Sequence, residues 1–149
     1  MKKLILLVED NESDEKLTIR ALKKTGVEHD SVVQRDGADA LDWLFATGRF
    51  ADRDAALVPT VILLDLNLPK VGGLDVLRRL RADERTKLVP VVMLTTSAEA
   101  NDITHALEAG ANAYMRKPVN YADFAEAART FAVFWLTINE TMTQAGTPR

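Results

Sequence analysis

Acidic side chains directly follow two of the apolar runs in this sequence. Glu9 and Asp10 come after residues 4–8, and Asp65 comes after residues 61–64. If these runs are neighbouring strands of a parallel sheet, their carboxyl ends share the edge where open α/β sheets bind ligands. Three carboxylates held together repel one another unless a cation compensates them, and oxygen ligands favour Mg²⁺, Mn²⁺ or Ca²⁺. The acids therefore predict a divalent-cation site, although any one of them could be only a helix cap.

Two further polar residues stand close to the ends of apolar runs. Thr95 follows residues 89–94, and Lys117 follows residues 111–115 after one intervening residue. A hydroxyl donor and a fixed ammonium beside Asp65 would neutralise the oxygens of a phosphoryl group, which is the main requirement of phosphoryl transfer. A threonine after a strand is often only a helix cap, and a single lysine is usually solvated. The convergence of both residues with the three acids predicts a phosphoryl-transfer site.

The elements that would position these residues alternate along the chain. Continuous apolar runs are typical of strands buried on both faces of a parallel sheet, and stretches with helical spacing lie between them. The strand candidates are residues 4–8, 31–35, 61–64, 89–94 and 111–115. Five strands and five helices in alternation predict an α/β fold with helices on both faces of one doubly wound sheet.

Capping residues and one long loop mark the expected boundaries of the helices. Asn11 or Ser13 is the expected cap of the first helix and Asn120 that of the fifth. Gly26 and Gly110 are the expected ends of the first and fourth helices. Residues 47–59 contain a glycine, several charges and a proline, so they predict an exposed loop before the third strand.

Composition narrows the class of protein. A length of 149 residues with 47% hydrophobic content predicts one domain, at residues 1–142, followed by a flexible tail at residues 143–149. No apolar run approaches the roughly 20 residues that cross a bilayer, so we expect a cytoplasmic protein without a membrane segment. The absence of cysteine excludes disulfides, thiolate zinc sites and cysteine nucleophiles. A net charge of −3 gives no general attraction to DNA, and direct DNA binding is not expected.

Four short motifs, in this order and spacing, resemble the receiver domains of two-component response regulators. They are Leu-Val-Glu-Asp-Asn at 7–11, Leu-Leu-Asp-Leu-Asn-Leu-Pro at 63–69, Met-Leu-Thr-Thr-Ser at 93–97 and Tyr-Met-Arg-Lys-Pro at 114–118. The resemblance covers nearly the whole chain and implies a flavodoxin-like (βα)5 fold with strand order 2-1-3-4-5. It also implies a signalling switch rather than an enzyme, one that catalyses only its own phosphorylation and dephosphorylation.

The resemblance assigns roles to the acids. It implies that Asp65 accepts a phosphoryl group from a histidine kinase. It further implies that Glu9, Asp10 and Asp65 hold Mg²⁺, with Mn²⁺ as an alternative, and that Asn67 contributes its backbone carbonyl to the metal.

The resemblance also implies a conformational switch. Thr95 and Lys117 would bind the phosphoryl group, and Tyr114 would move inward together with Thr95. The Lys117–Pro118 peptide would be cis. Because these roles concern signalling, we expect loss of the Thr95 or Lys117 side chain to change stability by only about 0.5 kcal/mol.

Two positions depart from the usual pattern of the family. Gly72 stands where an acid is common, which leaves the shape of the loop after Asp65 open. Thr96 stands where many members have alanine. The larger side chain either slows the entry of attacking water and prolongs the phosphorylated state, or merely caps the fourth helix.

A narrower resemblance points to the single-domain regulators paired with bacterial phytochromes. It depends on the loop at 48–54, the Thr-Thr-Ser turn and the pair Phe134 and Trp135. It makes a bacterial phytochrome the candidate kinase partner.

The fifth helix is a candidate dimer interface. Its helical spacing predicts a core stripe of Phe124, Ala128, Phe131, Trp135 and Ile138. Apolar residues off this stripe or at its margin would then be exposed, unless the tail at residues 139–149 folds back over them. Exposure favours a homodimer, which the resemblance to phytochrome-associated regulators also implies. The residues off the stripe or at its margin are Ala132, Val133, Phe134 and Leu136.

Three rival functions remain at this stage. A phosphatase of the haloacid-dehalogenase type also uses an aspartate after a strand, but its second acid is missing, since Leu-Asn-Leu-Pro follows Asp65. A nucleotide-binding module would need a glycine-rich phosphate loop, and neither common form is present. An interaction module that is not phosphorylated is what remains if the acids bind no metal.

Overall fold

Five parallel strands form one sheet in the computed structural model, which describes residues 3–140. The strands are β1 (Lys3–Val8), β2 (His29–Gln34), β3 (Val61–Leu64), β4 (Val91–Thr95) and β5 (Ala113–Arg116). Their order across the sheet is β2-β1-β3-β4-β5. The α/β class, the doubly wound sheet and the strand order expected from the sequence are confirmed.

Five α-helices cover the two faces of this sheet. They are α1 (Glu12–Lys24), α2 (Gly37–Phe45), α3 (Gly73–Ala82), α4 (Ala100–Glu108) and α5 (Tyr121–Ala132). Successive side chains of a strand point to opposite faces, so β1 contributes Leu6 and Val8 to one core and Ile5 and Leu7 to the other. The first core packs against α2, α3 and α4, and the second against α1 and α5.

Local chemistry explains where several elements begin. The side chains of Asn11 and Asn120 accept hydrogen bonds from the amides of Asp14 and Asp123, which caps α1 and α5 as predicted. Strand β4 begins at Val91, two residues later than predicted, directly after Pro90, whose nitrogen has no hydrogen to donate.

The loop between α2 and β3 contains a short 3₁₀-helix at Gly48–Phe50 and is held by Arg53. The Arg53 guanidinium lies 3.6 Å from the centroid of the Trp43 ring and donates to the carbonyl oxygens of Trp43 and Leu57. The arginine therefore closes this loop over a buried aromatic side chain of α2.

The chain after α5 continues as a π-helix at Val133–Ile138, where the amide of Asn139 donates to the carbonyl oxygen of Phe134 at 2.7 Å. A π-helix has more residues in each turn than an α-helix, so a stripe counted with α-helical spacing drifts away from the core. The predicted stripe is confirmed for the buried Phe124, Ala128 and Phe131, and Trp135 packs against the same core. It is wrong at its end, where Leu136 is buried at 1% exposure and Ile138 is 63% exposed. Ala132 is also buried, and only Val133 and Phe134 are exposed as predicted.

Two further expectations concern the ends and the membrane. Among residues 3–140, no helix is long and apolar enough to cross a bilayer. The predicted tail at residues 143–149 and the domain boundary at residue 142 lie outside the described residues.

Candidate functional site

The three strand-end acids lie together at the carboxyl edge of the sheet. Strands β1 and β3 are neighbours, with Val8 paired to Leu64, so the residues that follow them come close in space. One carboxylate oxygen from each of Glu9, Asp10 and Asp65 lies within 4.8 Å of the other two. Glu9 and Asp65 are buried, and Asp10 is exposed.

Lys117 neutralises part of this acidic cluster. Its Nζ lies 2.6 Å from Glu9 Oε1, 2.9 Å from Asp65 Oδ2 and 2.9 Å from Asp14 Oδ2. The lysine side chain is only 6% exposed. Its backbone is fixed as well, because the Lys117 amide donates to the Thr95 carbonyl oxygen at 2.7 Å. The site is therefore a buried ammonium surrounded by carboxylates.

Burial and the neighbouring charges shift the pKa values of two of these groups. Burial raises the pKa of Glu9 to about 7, and the charge of Asp65 adds to this effect while the hydrogen bond from Lys117 opposes it. For Lys117, burial acts to lower the pKa, but hydrogen bonds to Glu9, Asp14 and Asp65 outweigh it and raise the pKa. Lys117 therefore remains a cation at neutral pH.

Backbone groups orient the two buried acids. The Asn67 amide donates to Asp65 Oδ1 at 3.2 Å, and the Asn11 amide donates to Glu9 Oε2 at 3.2 Å. Helix α3 starts directly against the backbone of Asp65, since a Cβ on Gly73 would lie 2.3 Å from the Asp65 carbonyl oxygen. A side chain at Gly73 would therefore displace the segment that carries Asp65 and Asn67.

Thr95 is the last residue of β4, the strand beside β3, and Tyr114 lies within β5, the next strand of the sheet. Thr95 is fully buried, and its hydroxyl accepts from the Ser97 amide at 3.4 Å. The Tyr114 hydroxyl donates to the Ser97 carbonyl oxygen at 3.0 Å. Burial raises the pKa of Tyr114, so its hydroxyl stays protonated and can donate. Both residues thus contact one loop, the connection between β4 and α4.

The structure contradicts one of the two alternatives for Thr96 and the expected cis peptide. Thr96 is exposed and does not cap α4, because that helix begins at Ala100 with Glu99 in the capping position. No peptide among residues 3–140 is cis, so the Lys117–Pro118 bond is trans. The trans form is the lower-energy isomer of a proline peptide in the absence of other constraints.

Sequence reasoning missed Asp14. This residue lies in the first turn of α1 and contacts a lysine 103 positions away in the sequence. The available signal was its position in the turn that follows Glu9 and Asp10, which faces the same edge of the sheet.

Comparison with known proteins identifies the family. The sequence model of the response regulator receiver domain family matches residues 5–129 of this chain. The chain therefore belongs to this family of two-component signalling switches. Response regulator Rcp1 of Synechocystis sp. is 37% identical over 134 residues, which cover 90% of this chain and 89% of Rcp1.

Solved structures agree with this assignment. The phosphorylated cyanobacterial phytochrome response regulator RcpA aligns with a TM-score of 0.88 at 37% identity, covering 95% of this chain and 99% of RcpA. The Mn²⁺-bound form of Rcp1 aligns with a TM-score of 0.85 at 35% identity, covering 93% of this chain and 98% of Rcp1. The bacteriophytochrome response regulator AtBRR is 44% identical and aligns with a TM-score of 0.75, covering 94% of this chain and 99% of AtBRR.

Proposed function

We propose that the protein is a response regulator that accepts a phosphoryl group on Asp65. The observation that carries this proposal is the direct contact of Asp65 Oδ2 with the buried Lys117 ammonium, inside a cluster that also contains Glu9 and Asp10. A carboxylate beside a fixed cation can receive a negatively charged phosphoryl group, because the cation compensates the charge that arrives. Asp10 is exposed, so the cluster is open to a donor on that side.

The transfer requires no proton from the protein. One carboxylate oxygen of Asp65 attacks the phosphorus of a donor such as acetyl phosphate. The bond from phosphorus to the bridging oxygen breaks, and acetate leaves with its electron pair. Lys117 neutralises the equatorial oxygens during this step, and Thr95 supplies a hydroxyl to the phosphorylated state.

The donor set of the acidic cluster suits a small, hard cation. All three side chains offer carboxylate oxygens, which Mg²⁺ and Mn²⁺ both accept, and the relative Rcp1 has been solved with Mn²⁺. We assign Glu9, Asp10, Asp65 and the backbone carbonyl of Asn67 to the metal, with Mg²⁺ as the ion in use. Its positive charge would reduce the repulsion between these acids and the incoming phosphate.

The conformational response would pass through the connection between β4 and α4. Both Thr95 and Tyr114 contact Ser97 in this segment. If Thr95 turns toward a phosphoryl group, its contact with the Ser97 amide is lost, and the segment that holds Tyr114 is free to move. We therefore assign Thr95 and Tyr114 to the switch.

Phosphorylation by a small donor tests the acceptor. Wild type and Asp65→Asn are incubated with Mg²⁺ and acetyl phosphate, and intact mass is measured. We expect wild type alone to gain one phosphoryl group and to lose this gain in EDTA. Asp75→Asn, which removes an exposed aspartate of α3, is the control and should behave as wild type. Equal mass gain in wild type and Asp65→Asn would refute the assignment.

We assign a histidine kinase of the phytochrome type as the partner. RcpA is a phytochrome response regulator and AtBRR a bacteriophytochrome response regulator, and this chain aligns with nearly all of each. Transfer from an autophosphorylated bacteriophytochrome kinase to wild type, measured against an unrelated histidine kinase, tests the pairing. Equal transfer rates from both kinases would contradict it.

We also propose that the chain forms a homodimer through α5 and the π-helix. A groove on this side is lined mainly by apolar atoms, with Asp123 and Glu126 among its lining residues, and the exposed Phe134 packs edge-on against Trp135 with ring centroids 4.9 Å apart. The residues of the groove include Met115, Ala127, Thr130, Phe131, Phe134 and Trp135. A second copy would cover this surface, which continues from β5, the strand that carries Tyr114.

Light scattering of wild type and Phe134→Glu tests the dimer. Because Phe134 is 44% exposed, the substitution should leave the chain folded. Because Phe134 lines the groove, the new charge should separate the subunits. Leu57→Glu, at an exposed leucine of the loop before β3, is the matched control and should leave the dimer intact. A wild type that stays monomeric at high micromolar concentration, with and without beryllofluoride, would refute the dimer.

A further inference from the structure

The Lys117 ammonium has no donor to spare in this structure. An ammonium carries three N–H groups, and Nζ lies within 2.9 Å of three carboxylates, those of Glu9, Asp14 and Asp65. Glu9 and Asp65 belong to the acidic cluster at the sheet edge, whereas Asp14 does not. A phosphoryl group on Asp65 can take over the present contact of Lys117 with Asp65, but a second hydrogen bond to its oxygens requires that the contact with Glu9 or with Asp14 weakens.

We propose that Asp14 is a positioning residue that holds Lys117 in the resting state and competes with the phosphoryl group for its ammonium. This inference rests on the proposed role of Asp65 as phosphoacceptor. Asp14 thereby sets how strongly the chain favours the unphosphorylated arrangement.

The environments of the three carboxylates indicate which contact is released. Glu9 makes the shortest contact, 2.6 Å, and its side chain is 1% exposed, so without the lysine it would be a buried charge with one partner fewer. Asp14 is 30% exposed, and water can replace the ammonium there. Release of Lys117 from Asp14 is therefore less costly than its release from Glu9.

The other acids at the start of α1 do not share this role. Acids in the first turn of a helix are generally favourable because of the helix dipole, and α1 begins with Glu12, Asp14 and Glu15. Glu12 pairs with Lys16 and Glu15 pairs with Arg35, both at the surface. Asp14 alone among them contacts the phosphoacceptor site, which a purely local helix-capping role does not require.

Competition has a definite thermodynamic sign. If the phosphoryl group draws Lys117 away from Asp14, the contact between Lys117 and Asp14 opposes phosphorylation. Removal of the Asp14 charge must then favour the phosphorylated state by the free energy with which that contact opposed it. A residue that merely supported the fold would have the opposite effect, because its loss would loosen the site and weaken binding.

Affinity for beryllofluoride, a mimic of the phosphoryl group, measures this competition. It is titrated by fluorine NMR at saturating Mg²⁺ into wild type, Asp14→Asn and Asp14→Glu. We expect Asp14→Asn to bind at least about fivefold more tightly than wild type. Asp14→Glu retains the charge and should return toward wild type. Glu12→Gln removes one charge from the same helical turn without touching Lys117 and should leave the affinity unchanged.

The outcomes separate this inference from the function on which it rests. Unchanged or weaker binding by Asp14→Asn, with phosphorylation still confined to Asp65, would overturn the role of Asp14 and leave the acceptor assignment intact. Equal tightening by Glu12→Gln would also overturn it, since the effect would then be one of net charge. Phosphorylation of Asp65→Asn would remove both proposals together.

Discussion

The carboxyl edge of the sheet was predicted correctly from the sequence, whereas the side chains at the end of the segment after α5 were not. At the sheet edge, Asp65 and Lys117 lie in direct contact although 52 residues separate them. After α5, a π-helix buries Leu136 and exposes Ile138, the reverse of what their spacing predicts. The first region depends on the topology of the chain, and the second on the geometry of a single helical turn.

The two regions differ in how far an error of one residue in the sequence prediction displaces the predicted side chains. A strand end shifts by only about 3.3 Å when its boundary is misjudged by one residue, so the groups after it remain at the same edge of the sheet. The direction of a helical side chain depends on all the turns before it. A change from i+4 to i+5 hydrogen bonding therefore moves every later side chain onto a new face. A prediction from topology therefore remains correct after a local error, whereas a prediction of which helix face is buried does not.

The largest stability effect is expected at the sheet edge, for Lys117→Ala. Loss of the lysine leaves Glu9 and Asp65 buried without their cation, and breaking such a buried pair costs about 3–5 kcal/mol. The value of about 0.5 kcal/mol expected from the sequence applies to a surface side chain. Urea unfolding in EDTA measures the difference, and added Mg²⁺ should restore part of the loss.

A lysine paired with a glutamate at the surface provides the matched control. Lys87 lies 2.7 Å from Glu84, and both side chains are well exposed. Lys87→Ala should change the free energy of unfolding by less than about 0.5 kcal/mol. If Lys117→Ala and Lys87→Ala proved equally mild, the buried ion pairs at the sheet edge would contribute little to stability, and the contrast between the two regions would weaken.

The next effect tests the C-terminal region directly, with two aliphatic residues of one π-helix. Leu136→Ala should destabilise the chain by about 3 kcal/mol, because it opens a cavity in the core formed by α1, α5 and the sheet. Ile138→Ala removes an exposed side chain and should change stability by less than about 0.5 kcal/mol. Urea unfolding of both variants gives the ranking. An α-helical stripe predicts the opposite order, so a larger loss for Ile138→Ala would contradict the π-helical register.

The sequence was sufficient for the fold and for the side chains that follow the strands. The alternating apolar runs predicted the α/β class, the family resemblance supplied the strand order, and the strand ends predicted that Glu9, Asp10 and Asp65 lie together. It was not sufficient for Asp14, because the contact with Lys117 depends on how α1 packs and on the reach of a long side chain. Such details are decided by tertiary packing, which spacing along the chain does not encode.

The same limit applies to the loop between β3 and α3. The sequence left its shape open at Gly72, and the structure places that residue in the capping position of α3, without a side chain to accept a hydrogen bond. The loop is held from its other side, since the Gly37 amide of α2 donates to the Pro69 carbonyl oxygen at 3.3 Å and Lys70 lies 3.4 Å from Asp36. The backbone around Gly72 is therefore fixed without a cap.

The smallest effect follows from this arrangement, for Gly72→Asp. Gly72 has an ordinary extended conformation with φ of −68°, and a Cβ there would contact no atom within 4 Å. An aspartate can therefore cap α3, and it also reduces the freedom of the unfolded chain, for a combined gain of about 0.5–1 kcal/mol. Gly72→Ala retains the entropic part but cannot accept the capping hydrogen bond, so it should be less stable than Gly72→Asp in urea unfolding in EDTA. Equal stability of the two variants would mean that an acid here does not cap α3, and that the glycine costs this loop nothing in hydrogen bonding.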